Sequence, residues 1–318
     1  MNRAASIIRL SEARRQDLTG KGVGIAVLDT GIGYHPDLFP ADGGADGPLV
    51  YFSDYVNQQP EYYDDNGHGT HISGIIAGSG ARSGGLYRGV APGAHLVVLK
   101  VLNQNGEGHI DHVLDAISWI LKHYMEYRIR IVNISIGSSR GKHFSEESPL
   151  VRGVNSLWKA GLVVLTAAGN HGPSPSSIGA PGNSRKIITV GSSDPLQYRN
   201  ANDYSSRGPT DSCIKKPDIV APGSRIVSCH PVSYTPKPSV WYPDPLYQAR
   251  SGTSMSTPIV SGCIALLLER YPYLSNKEVK MHLRNTALDL GYEHTRQGWG
   301  LIQCDRFLQP PDLALPLR

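Results

Sequence analysis

An α/β fold of three layers, a mostly parallel central sheet with helices on both faces, is predicted by three features of the chain. Several short runs are almost continuously Val, Ile, Leu and Ala, as strands covered on both faces must be. These runs alternate with segments whose apolar residues recur at helical spacing. The 35 Gly and 23 Pro are dispersed through the turns between them, so no low-complexity tract interrupts the pattern. Such alternation is what crossovers between parallel strands require.

Strands are predicted over residues 23–28, 96–101, 131–136, 162–167 and 186–190. Helices are predicted over residues 68–77, 110–127, 149–160, 254–271 and 276–285. In the second helix, Val113, Leu114, Ile117, Ile120, Leu121 and Tyr124 make one apolar stripe, which is a core face. Residues 1–18 are a short N-terminal extension, and residues 19–318 are a single domain. Residues 78–85 read as a flexible connector. Residues 229–250 form a long loop with five prolines, either a wall of a substrate channel or a packed surface loop.

A chain of 318 residues with 40% hydrophobic and 18% charged residues can bury one large core. The net charge of +4 is spread without a basic run, which argues against a nucleic-acid partner. No stretch approaches the roughly 18 apolar residues of a membrane span, and residues 1–15 hold no apolar core of a signal peptide. With Met1 as the start, the expected compartment is the cytoplasm; the alternative is secretion by a route not visible in the sequence. Cys213, Cys229, Cys263 and Cys304 lack metal-site spacing. Cys263 reads as a small buried hydrophobe; free thiols suit a reducing compartment, and a Cys213–Cys229 disulfide is the alternative.

Three segments hold residue types that one chemistry needs together. Asp29 ends Val23-Gly24-Ile25-Ala26-Val27-Leu28, which puts its carboxylate at the edge where parallel sheets build their sites. His68 lies in Asn66-Gly67-His68-Gly69-Thr70-His71, opening a helix after a glycine-bracketed turn. Ser254 lies in Ser251-Gly252-Thr253-Ser254-Met255-Ser256-Thr257-Pro258, at a helix N-terminus whose free N–H groups favour developing negative charge. A serine hydroxyl needs a base within reach, and the base needs a carboxylate to hold its tautomer. Taken singly, each residue has a plainer reading: a turn cap, a loop histidine, an N-cap. The chain order Asp, His, Ser is one of the few known ways to assemble such a set.

Together these segments resemble the subtilisin-like serine proteases, the subtilase family, from residue 19 to residue 308. The resemblance implies a subtilisin-like three-layer fold and a serine endopeptidase working through an acyl-enzyme. Ser254 would be the nucleophile, His68 the base and Asp29 its partner. Thr166-Ala167-Ala168-Gly169-Asn170 is similar to the family segment that carries the oxyanion-hole Asn, which implies that role for Asn170. Asn133-Ile134-Ser135-Ile136-Gly137 resembles the strand that pairs with an extended protein or peptide substrate. By the same likeness Ser135, Ile136, Gly137, Ala167 and Gly179 would form the first specificity pocket. These five include no acidic residue, which implies broad specificity with an apolar residue before the scissile bond. His71 would face into the fold. Ser205-Ser206-Arg207-Gly208-Pro209-Thr210 and the segment from Lys216 to Gly223 match as structural turns.

The chain also departs from the family. Residues 78–85 lack the acidic and Asn ligands of the calcium loop that many secreted relatives carry, so a strong calcium site is not expected. Asp64 and Asp65 either hold a weaker structural calcium or orient the His68 loop. No cofactor is required for catalysis. The 28 residues ahead of Asp29 leave no room for a folding prodomain, which resembles the prodomain-free, intracellular bacterial branch. Met255 beside the nucleophile implies sensitivity to oxidation. Against the protease stand two other readings: an inactive relative that binds, and a hydrolase of small esters or amides. The intact triad opposes the first, and the peptide-pairing strand opposes the second.

Overall fold

The computed structural model describes residues 1–40, 47–136, 148–198, 201–232 and 244–311. Seven strands form one sheet: β1 (Gly24–Asp29), β2 (Leu49–Asp54), β3 (His95–Lys100), β4 (Ile129–Ile134), β5 (Val163–Ala167), β6 (Ile188–Ser192) and β7 (Ile219–Ala221). Their order is β2-β3-β1-β4-β5-β6-β7, and every neighbouring pair is parallel. A separate antiparallel hairpin pairs β8 (Ile226–Cys229) with β9 (Tyr247–Arg250). The helices are α1 (Asn2–Ile7), α2 (Ser11–Arg15), α3 (His68–Ala77), α4 (Ile110–His123), α5 (Pro149–Lys159), α6 (Asp194–Gln197), α7 (Thr253–Arg270), α8 (Asn276–Thr286), α9 (His294–Gln297) and α10 (Cys304–Phe307).

Every residue of β1, β5 and β6 is buried. Because successive side chains point to opposite faces, total burial requires cover on both. α3 packs on α7 and α4 packs on α5, and these helices lie against the strands. α7 is buried along almost its whole length; Ile259, Val260, Ile264, Leu266 and Leu267 are fully inaccessible. Burying five such side chains contributes on the order of 10 kcal/mol as an upper estimate. The helix that presents Ser254 is therefore a fixed post. Among the described residues, no helix is long and apolar enough to cross a membrane.

The predicted strands and helices all occur, with shifted ends. The helix expected over 110–127 stops at His123, because Arg128 takes a left-handed φ of 46° and the chain turns straight into β4. β2 has mixed burial at the sheet edge, so it lacks the apolar signature. Ile219–Ala221, within the segment matched as a turn, supplies the seventh strand. Of the expected 229–250 loop, Cys229 ends β8 and Tyr247–Arg250 is β9, while residues 233–243 lie outside the described residues. Residues 1–18 are packed into the main core through Met1, Ile8, Leu10 and Ala13.

β1 sits between β3 and β4, so the sheet changes its direction of growth at this pair. Parallel sheets leave a crevice beyond the strand ends at such a point. Asp29 closes β1, and the register partner of Leu28 is Ile134, the last residue of β4. Asp29 and Ser135 therefore leave the sheet on adjacent strands, roughly 5 Å apart by strand spacing.

Candidate active site

Asp29 is wholly buried at the tip of β1, and its Oδ1 lies 2.7 Å from His68 Nδ1. The same oxygen accepts the Thr30 N–H at 2.8 Å. An imidazole with Nδ1 on a carboxylate carries its proton there and turns Nε2 outward as the available base. His68 keeps a fifth of its side chain exposed, which is the access a reacting base needs.

The loop before His68 is organised by Asp64. Its Oδ1 accepts from Thr30 Oγ1 and the N–H groups of Asn66 and Gly67; its Oδ2 accepts from Thr70 N–H and Oγ1. Burial works against charge on this carboxyl, yet the hydrogen bonds from Thr70, Gly67 and Thr30 outweigh it and hold its pKa below the ordinary value. Thr30 Oγ1 in turn accepts the N–H of Gly69 at 2.8 Å, locking the start of α3 to the end of β1. A Cβ on Gly69 would stand 2.1 Å from the Gly31 carbonyl oxygen, so the glycine permits this approach.

Ser254 is the second residue of α7. Its Oγ donates to the Ser135 carbonyl at 3.2 Å, and among the described residues that is the hydroxyl's hydrogen bond. Pro258, four residues on, has no N–H to offer the Ser254 carbonyl. That carbonyl accepts instead from Ser135 Oγ at 3.3 Å. Ser135 is held by Asn133 Nδ2 at 3.0 Å, and Asn133 Oδ1 lies 3.0 Å from Ser261 Oγ, two turns along α7. Ser254 is thus clamped to the strand adjacent to Asp29. Met255 beneath it is 1% exposed.

Asn170 follows β5. Its Oδ1 accepts from both the N–H (2.9 Å) and Oγ1 (3.1 Å) of Thr253. Two donors on one oxygen fix which way the amide faces, leaving Nδ2 to donate toward the front of α7. A Cβ on Gly252 would sit 3.1 Å from that nitrogen, so glycine keeps the donor's approach open. Asn170 Nδ2 and the N-terminal N–H groups of α7 form a donor cluster suited to an oxyanion.

The subtilase family model, peptidase S8, matches residues 20–300. The chain belongs to the subtilase family of serine proteases. It is 45% identical over 281 residues to the serine protease AprX of Bacillus subtilis, covering 85% of this chain and 62% of AprX, so it spans about three fifths of that relative. It is 36% identical to subtilisin BL of Lederbergia lenta over 94% of this chain and 96% of that one. Among solved structures, Sphericase superposes with a TM-score of 0.72 at 30% identity, covering 90% of this chain and 92% of the other. The Clostridium perfringens CspB protease shares the fold with a TM-score of 0.82 at 19% identity, over 97% of this chain and 99% of that one.

In this subtilase chain the residues expected for the specificity pocket are partly gathered. Ala167 ends β5, and Gly182 lies against both the Ala167 and Gly179 carbonyls. Ser135 and the half-buried Ile136 follow β4; Gly137 lies outside the described residues. His71 is fully buried, with Nε2 at 3.0 Å from the Ile226 and Gln248 carbonyls of the hairpin. It is a structural tie, as the sequence implied. Cys213 is exposed and Cys229 buried, both as free thiols.

Asp64 and Asp65, the carboxylates weighed for a weaker calcium ion, both have protein partners. The 78–85 connector folds over Asp37, whose carboxylate accepts Arg82 N–H at 2.9 Å and Tyr247 OH at 2.7 Å. Asp64 is committed to its five protein donors, and Asp65 pairs with the buried Lys100 at 2.7 Å. Sequence reasoning missed Thr253, Asn133, Pro258 and Ser261 as positioning groups. Asn133 and Ser261 show in the sequence as polar residues on apolar segments, but neither says what it meets, and Thr253 and Pro258 carry no such mark.

Burial pushes the His71 pKa well below its ordinary 6.5, with Arg250 adding to the effect. Below pH 6.5 the unfolded chain takes up a proton that folded His71 refuses, so stability full above that pH is lost as pH falls. Melting temperature is expected to fall from pH 7 to pH 5, with a shallower slope in His71→Asn. An equal slope in both proteins would remove His71 as the cause.

Proposed function

We propose that this chain is a serine endopeptidase that hydrolyses peptide bonds through an acyl-enzyme. The observation that carries this reading is the 2.7 Å contact of His68 Nδ1 with the buried Asp29, on the strand beside the one that clamps Ser254. Rotation about Ser254 χ1 exchanges its bond to the Ser135 carbonyl, worth about 1 kcal/mol net, for one to His68 Nε2. Ser254 Oγ then attacks the scissile carbonyl as His68 takes its proton. Asp29 holds the tautomer and stabilises the imidazolium. Asn170 Nδ2 and the Ser254 N–H hold the oxyanion; His68 gives the proton to the leaving amine, and water deacylates Ser254 by the reverse route. These roles are filled by side chains and backbone, so chelation is expected to leave turnover intact.

The substrate is a protein or peptide bound as an added strand beside Ser135 and Ile136. The five pocket positions carry no charge, which supports a preference for an apolar residue before the cleaved bond. A panel of peptides differing at that residue should be cut fastest after Leu, Phe, Tyr or Met; dominance of Lys or Arg would overturn the pocket assignment. The free thiols of Cys213 and Cys229 support residence in a reducing, cytoplasmic compartment. The activity itself is tested with casein and phenylmethylsulfonyl fluoride. Casein hydrolysis lost in step with one adduct on Ser254 is expected. A Ser254 adduct on a protein that never cuts casein would favour a small-molecule hydrolase, and no adduct an inactive binder.

A further inference from the structure

Cys263, in the middle of α7, and Cys304, the first residue of α10, bring their sulfurs to 3.1 Å. Both residues are fully inaccessible. A disulfide holds its sulfurs at about 2.05 Å, so an approach of about 1 Å separates this pair from a covalent bond. α10 is a fastening point. The Cys304 N–H donates to the Ile8 carbonyl at 2.7 Å, and Gln303 Nε2 donates to the Ile7 carbonyl at 3.0 Å. His282 of α8 bonds to the Phe307 carbonyl at 2.8 Å and stacks on its ring. One bond at this place would tie the N-terminal segment, α8 and the last described helix to α7.

We infer that Cys263 and Cys304 are a redox-responsive cross-link site, a dithiol under reducing conditions and a disulfide when an oxidant of the disulfide class is present. With glutathione disulfide, one protein thiolate attacks a glutathione sulfur, releasing one glutathione and leaving a mixed disulfide. The second protein thiolate attacks the first cysteine's sulfur and expels the other glutathione. The protein pair gives up two electrons and two protons, and one glutathione disulfide becomes two glutathiones.

Burial governs the rate. It pushes the Cys263 thiol well above its ordinary pKa, so thiolate is scarce in the folded protein. Exchange therefore belongs to folding, or to excursions that lift α10 off α7. Once formed, the bond is shielded from reductant by the same packing. It closes a loop of about 40 residues and restricts the unfolded chain. Ser254 lies more than two helical turns from Cys263, so the cross-link acts on stability and leaves the candidate active site in place.

The test is refolding of the full chain in glutathione disulfide, followed by alkylation and digestion without reductant. Ser254→Ala protein is used so that the sample cannot digest itself. A peptide joining Cys263 to Cys304 is expected, with a melting temperature about 5 °C above that of dithiothreitol-treated protein. Cys304→Ala and Cys263→Ala should each lose the linked peptide and the redox dependence of melting. The exposed Cys213 is the internal control, since its glutathione adduct reports that oxidant was present. Alkylation of both Cys263 and Cys304 in protein glutathionylated at Cys213 would overturn the inference. So would a linked form that melts no higher than the dithiol.

Discussion

Ser254→Ala is expected to lower kcat for peptide hydrolysis by about 10⁶-fold, the loss known for a subtilisin stripped of its nucleophile rather than a figure worked out from this structure. The size follows from the acyl-enzyme route, which has no substitute for Oγ. The fold should tolerate the change well, because Ser254 is not fully buried and its carbonyl keeps its bond to Ser135 Oγ. Melting temperature should therefore move little while activity vanishes. His68→Ala should match it, since nucleophile and base act as one unit. Asp29→Asn should cost about 10⁴-fold by stabilising the wrong imidazole tautomer. Activity within tenfold of the parent in any of the three variants, measured on casein or a peptide amide, would contradict the assignment.

Asn170→Ala is expected to lower kcat by about 10²–10³-fold with little change in KM, again a size known from a subtilisin. The geometry explains why the effect falls on kcat. Thr253 occupies Oδ1 with two donors, so Nδ2 is already aimed before substrate arrives. It has no charge to meet until the tetrahedral oxyanion forms. Asn170→Asp should be at least as damaging although it keeps the Thr253 bonds, because it replaces the donor with an acceptor that repels the oxyanion. Steady-state kinetics on one peptide substrate separate the cases. A change in KM alone would move Asn170 from the reacting centre to substrate binding.

Much of this was legible in the sequence because buried parallel strands write themselves as apolar runs, and β1, β3, β4, β5 and β6 are all of that kind. β2 and β7 were not legible. One is a half-exposed edge and the other is three residues long, so neither fills a pattern window. The β8–β9 hairpin was hidden for another reason: its strands are 17 residues apart in a proline-rich stretch, and His71 on α3 helps hold them. Within the candidate site, Asp29, His68 and Ser254 were visible through their local frames, whereas the residues that hold them in place were not. Thr253 reads as an ordinary first-turn residue until Asn170 is folded beside it. Asn133 reads as a polar interruption of a strand until Ser261 meets it from α7. The Cys263–Cys304 contact joins residues 41 apart in the chain, on two helices, and nothing in either helix's own pattern points to the other.

The most direct measurement is the rate at which a small fluorophosphonate modifies Ser254, read by mass spectrometry, in the parent chain and in His68→Ala. The reagent needs an activated hydroxyl but no peptide-binding strand, so it isolates the link between imidazole and nucleophile. If Asp29, His68 and Ser254 work as one hydrogen-bonded line, His68→Ala should label slower by about 10³-fold or more. Labelling at a comparable rate without the imidazole would show that Ser254 is not activated by His68.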